Sequence, residues 1–211
     1  EDWNVVVDEL RLKNGRFNTR KEGDPPTDNF FDGSNINFYA ITGNLKNIHL
    51  IKDSITATVS LQAKERSGLE VKKLSTDIRF HPEAMEFARL DLQTPRSSLH
   101  NFFALRYRTF TDFEQFISKV KLEGDFNNAE LSSDDIAYFA PALRDLKKKI
   151  RVDGLIKGTV DHLESKNLVI EAGNSTYLNG NIRMTGLPDI NRTYIDFAAN
   201  NFRTTYADAV A

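Results

Sequence analysis

Residues 55–63 read ITATVSLQA, and their strict alternation constrains the fold more than any other stretch. Ile55, Ala57, Val59, Leu61 and Ala63 fall on one side of an extended chain, and Thr56, Thr58, Ser60 and Gln62 on the other. Side chains of a strand point alternately to opposite faces, so this pattern predicts a sheet with one apolar face and one face in water.

The same reading extends along the chain. Residues 3–13 predict a strand, with a turn at Asn14-Gly15 and the chain resuming at Arg16-Phe17. Residues 18–35 predict a long polar loop, and 36–43 and 45–51 two strands on either side of a glycine. In 69–80 the apolar positions move from Leu69 and Val71 to Leu74, Ile78 and Phe80, which predicts a bulge or break near Lys72 and Lys73. Strands are expected over 86–95 and 99–110, over three segments of 150–174, and within 175–189 and 193–200. The stretch 202–210 shows no period. Helix signals centre on an insertion spanning 111–148: a short helix over 111–118, and a longer signal over 132–150 that Pro141 interrupts, giving two short helices or one kinked helix. Ser132 or Ser133 would cap the longer helix, with Asp134 and Asp135 in its first turn.

Glycine recurs beside Asn, Asp or Thr just before apolar residues, as in NGRF (14–17), DGLIKGTV (153–160) and NGNIRM (179–184). Such glycines suit turns between strands, whether of an ordinary antiparallel protein or of a sheet that grows in one direction.

Chemical centres are hard to find. With Lys plus Arg at 28 and Asp plus Glu at 30, the chain as a whole has no polybasic drive toward nucleic acid. Cysteine is absent, which excludes disulfides and thiolate sites, and His49, His81, His100 and His162 are scattered. No serine elbow or H-E-x-x-H motif is present. Asp134-Asp135 reads as a helix start and His81 before Pro82 as a turn, and nothing in the sequence draws His162, with Asp161 and Glu164, into a metal or acid–base site. We expect no enzyme activity, no metal and no cofactor. No run approaches the about 20 apolar residues a membrane helix needs, and no signal peptide is evident. The chain begins with Glu and not Met, which suggests a processed or excised piece, with room upstream for a targeting segment or a membrane anchor. The apolar stripes fit the core of a closed sandwich or barrel that binds a small ligand or carbohydrate. They fit equally a groove open to a greasy ligand.

Three segments are similar to the TamB-like branch of the AsmA superfamily, in the long versions found in Bacteroidota: LRLKNGRFN (10–18), LSTDIRFHPEAMEFARLDLQTPRSSL (74–99) and VDGLIKGTVDHLESKNLVIEAGNSTYLNGNIRMTGLPDI (152–190). The second closes on Leu92, Thr94, Ser97 and Leu99, and the third on the GLPD of Gly186–Asp189. This resemblance implies that residues 1–211 are a single segment of a longer, curled antiparallel β-sheet. That sheet would form a taco-like or U-shaped trough with an apolar interior, carrying one to three short helices that cover part of the interior or an edge.

It implies, further, a periplasmic protein anchored in the inner membrane outside this segment. Such a protein carries phospholipid to the outer membrane in envelope biogenesis and meets an outer-membrane barrel partner. The alternative is a structural or chaperone-like module assisting outer-membrane protein assembly. The residues expected to line the lipid groove are Ile55, Val59, Leu61, Ile78, Phe80, Leu90, Leu92, Phe103, Leu105, Ile156, Val160, Ile182 and Met184.

Overall fold

The computed structural model describes residues 4–20, 22–23, 25–27, 29–139, 141, 144, 147–173 and 175–210. Eleven strands follow one another: β1 (Asn4–Asn18), β2 (Asn37–Ile51), β3 (Ser54–Glu65), β4 (Glu70–His81), β5 (Ala84–Gln93), β6 (Ser98–Arg106), β7 (Lys121–Ser132), β8 (Lys149–Thr159), β9 (His162–Ala172), β10 (Thr176–Thr185) and β11 (Tyr194–Arg203). They form one sheet in sequence order, each strand antiparallel to the one before it. Tight turns at 52–53, 82–83 and 160–161 set each strand beside its predecessor.

The expected taco-like or U-shaped trough is not what the chain builds. The sheet is neither closed nor strongly curled, and β1 and β11 are its two unpaired edges. Closure requires the first and last strands to meet in a fixed stagger, and a meander of hairpins positions only neighbours. The described residues also hold a single sheet, so the closed sandwich and barrel find no counterpart.

Several boundaries differ from the sequence reading, mostly for one reason. Asn14-Gly15 is not a turn: β1 runs straight through it, and the register against β2 shifts there, with Asn14 at φ 54°. Residues 37–51 are one strand with Gly43 inside it, and 149–172 are two strands, not three. Glycine and asparagine here serve bulges within strands. A bulge inserts one residue into a ladder, and the left-handed region it often requires is open mainly to Gly and Asn. Register shifts coincide with positive φ at Asn47, Arg89, Asn128, Gly154 and Asn167. The bulge expected near Lys72 and Lys73 is present: Leu61 pairs with Leu74, but Ala63 with Val71.

Helical structure is sparse. Phe110–Gln115 is a 3-10 turn leading into α1 (Phe116–Lys119), α2 covers only Ser133–Ile136, and α3 is Tyr206–Val210. The strand β7 separates α1 from α2, so 111–148 is two short connections and not one helical insertion. Ser132 caps α2, its hydroxyl accepting from the Asp134 N–H at 3.3 Å. Residues 137–139 are turn, so the long helix expected over 132–150 stops early; its continuation at 140, 142–143 and 145–146 lies outside the described residues.

An apolar sheet face and a polar loop end

Cross-strand partners share a face of the sheet, so the register assigns every side chain. Starting from Val59, one face gathers Leu45 and Leu10 on one side and Thr76 on the other. A second row runs Leu50, Ile55, Phe80, Met85, Leu105 and Leu122. Further rows carry Ile78, Phe87 and Phe103, then Leu74, Leu92 and Leu99. Beyond β7 the same face continues through Ile156, Ser165, Ile182 and Phe197, and through Leu163, Met184 and Ile195. An apolar surface therefore runs from edge to edge. All the expected lining residues lie on it except Val160, which sits in the β8–β9 turn.

Two hydroxyls interrupt this surface, and both are satisfied. Thr76 Oγ1 donates to the Ala88 carbonyl at 2.9 Å beside the Arg89 bulge, and Ser165 Oγ to the Leu155 carbonyl at 2.5 Å beside Gly154. A buried hydroxyl without a partner is costly, and the bulges supply the acceptor.

Burial is graded across the face. Val59, Leu90, Val152, Leu168 and Ile182 are buried in mid-sheet, with Val152, Leu168 and Ile182 forming one packed cluster. Toward the edges large side chains stand open: Phe17 is 53% exposed, Ile195 59% and Phe202 57%. No second layer covers them among the described residues. Phe80 meets Phe87 edge-on at 5.6 Å, and Phe87 meets Phe103 at 6.4 Å, forming an aromatic row across β4, β5 and β6.

The opposite face is polar and laddered with charge. Arg106 reaches Glu86 at 3.0 Å and Glu123 at 2.7 Å, and Lys157 reaches Glu123 at 3.0 Å, linking β5 to β8. The Arg106 and Lys157 contacts hold the Glu123 carboxyl below its ordinary value, burial opposing them. A hydrogen bond from Lys73 does the same for Asp91.

The two ends differ in chemistry. At one, Phe113 stacks near Tyr107 (4.9 Å), Phe110 (5.1 Å) and Phe116 (6.0 Å), and a cavity of about 220 Å³ opens between Ile55, Phe80, His81, Tyr107 and Phe110. The connection carrying α1 sits at these strand ends, its Ile117 carbonyl accepting from the Asp161 N–H; it does not protect an edge. At the other end the β1–β2, β3–β4, β5–β6 and β7–β8 turns converge. The Phe31 N–H donates to the Tyr138 carbonyl at 2.7 Å, Tyr138 Oη to the Gly68 carbonyl at 3.0 Å, and Thr94 and Ser97 hydroxyls to Asp135 at 2.5 and 2.6 Å. The fully buried Glu65 carboxylate accepts from the Asn37 and Ser67 backbone N–H groups. Sequence reasoning missed Glu65 and Ser67, which fall just past the alternating run of 55–63 and belong to no motif.

Asp134 and Asp135 hold the loop end together, Asp134 through Lys147 at 2.9 Å and Asp135 through the two hydroxyls. The four histidines lie apart, and no group of three or more potential metal ligands occurs among the described residues. No helix among those residues is long and apolar enough to cross a membrane. No family model, curated protein or solved structure matches the chain.

Proposed function

We propose that the chain is a lipid-carrying β-sheet segment, with hydrocarbon tails lying along its apolar face. One observation carries the reading: the face is continuous over all eleven strands, and its outer side chains stay exposed with no layer over them among the described residues. Uncovered apolar area on this scale calls for an occupant. An acyl chain gains about 0.8 kcal/mol per CH₂ removed from water. Because hydrophobic attraction is non-directional, tails can shift from row to row without a chemical step. The proposal retains phospholipid as cargo, a periplasmic setting, and an outer-membrane barrel partner and inner-membrane anchor for the longer protein. It places the cargo on an open face, not within a trough.

A second reading has its own support: the unpaired edges β1 and β11 are templates for added strands, as a chaperone-like module would need. Native mass spectrometry of the chain purified without detergent separates the two. Bound phospholipid is expected, and Phe17→Lys with Ile195→Lys should lower it several-fold while the fold persists, since both side chains are exposed. A chain that stays lipid-free after incubation with phospholipid vesicles, or variants that hold as much lipid as the parent, would overturn the reading.

A further inference from the structure

We propose that the loop end contains a binding site for a phosphate group, free or carried on a lipid, formed by Ser67, Arg96, Arg144 and Lys147. These residues, with Asn29, Asp134 and Tyr138, line a cavity of about 280 Å³. Four separate connections contribute: Asn29 from β1–β2, Ser67 from β3–β4, Arg96 from β5–β6, and the rest from β7–β8. Three cations thus face one space on a chain whose overall charge is slightly negative.

Ser67 is 7% exposed, and its Oγ has no hydrogen-bond partner among the described residues. Such a buried hydroxyl costs free energy unless something accepts its proton. Glu65 accepts from the Ser67 and Asn37 backbone N–H groups and not from this hydroxyl.

The donor set selects the ligand. Two guanidinium groups, an ammonium and a hydroxyl come from three of these connections, Arg144 and Lys147 sharing β7–β8, which suits a tetrahedral anion with several acceptor oxygens better than a planar carboxylate. Among the described residues Asp134 is the one carboxylate in the lining, at 2.9 Å from Lys147 and 3.5 Å from Arg96, and Asp135 lies 4.0 Å from Arg96. Those pairs pre-position the two cations and leave the described lining residues with a net positive charge. Arg144 Nη2 donates to the Asn29 carbonyl at 2.6 Å, which fixes the third. The site does not rest on the acyl-chain reading, because it shares no residue with the apolar face.

Calorimetric titration of the purified chain at fixed ionic strength tests this, with inorganic phosphate, sn-glycerol 3-phosphate and dihexanoylphosphatidylglycerol below its micelle concentration as probes. Saturable binding of at least one probe is expected. Binding of phosphate itself points to a free ligand, and binding of only the lipid points to a headgroup. Lys147→Met and Ser67→Ala should each weaken that binding about tenfold, the loss of roughly one charge-assisted or buried hydrogen bond, with circular dichroism unchanged. The face variant Phe17→Lys should leave phosphate binding intact. Absence of saturable binding by all three probes at millimolar concentration, or binding indifferent to both site variants, would overturn the proposal.

Discussion

Glu123 lies between two cations on neighbouring strands, Arg106 at 2.7 Å and Lys157 at 3.0 Å. Its carboxyl is held below its ordinary value, so its contribution to stability is fully present above the usual carboxylate range of about 4–4.5 and is lost as pH falls through the lowered value. Urea unfolding at neutral and acid pH should show this loss, and Glu123→Gln should make the dependence shallower. Gly43 makes a different demand. It sits inside β2 with φ at +153°, and a Cβ there would meet the Ser60 carbonyl and the Leu61 backbone. Gly43→Ala should cost roughly 1–3 kcal/mol, measured by the same unfolding experiment. These single residues also mark where the sequence was hard to read. The alternation of Ile55–Ala63 is visible because β3 keeps its own alternation unbroken. Asn14-Gly15 and Gly154 were mistaken for turns because a bulge and a turn draw on the same residue types for the same backbone reason.

Strand parity is a property of elements, and bulges reset it. In β9 the apolar face takes Leu163 and Ser165, then Leu168 and Ile170, because Asn167 at φ 53° inserts a residue. Periodicity alone divides 150–174 into three segments; the register shows two strands with one face continuing through them. The face residues missed from the sequence, Val152, Leu163, Leu168 and Ile170 among them, lie where such resets occur. The helix expected over 132–150 failed for another reason. Ser132 and the two aspartates are a true start signal, but their side chains are drawn into the convergence of turns, and the helix ends within a turn of its cap. The cluster of Val152, Leu168 and Ile182 anchors β8 to β10. Leu168→Ala should destabilise the chain by about 2–4 kcal/mol, read as a lowered denaturation midpoint with an unchanged slope.

For the whole molecule, a meander makes each strand depend on its neighbours alone, as in repeat proteins. The edge strand β1 is largely exposed along its length, whereas the packed cluster lies on β8, β9 and β10. Hydrogen exchange should therefore be slowest in the middle of β8–β10 and fastest at β1 and β11; uniform protection across the sheet would mean that something covers its edges. The eleven-strand order could not be read from the sequence, but it follows once each hairpin is granted. The openness of the sheet is a global property that no local pattern encodes.

Photo-crosslinking from opposite faces of a single strand tests the central claim most directly. A benzophenone side chain at Ile55 or at Thr58 would be irradiated with phospholipid vesicles and the adducts weighed. Ile55 lies on the apolar face and Thr58 on the polar one, where Thr58 hydrogen-bonds Asp77 at 2.9 Å. The account predicts acyl-chain adducts from Ile55 and none from Thr58; equal adducts from both positions, or only protein–protein adducts from Ile55, would contradict it.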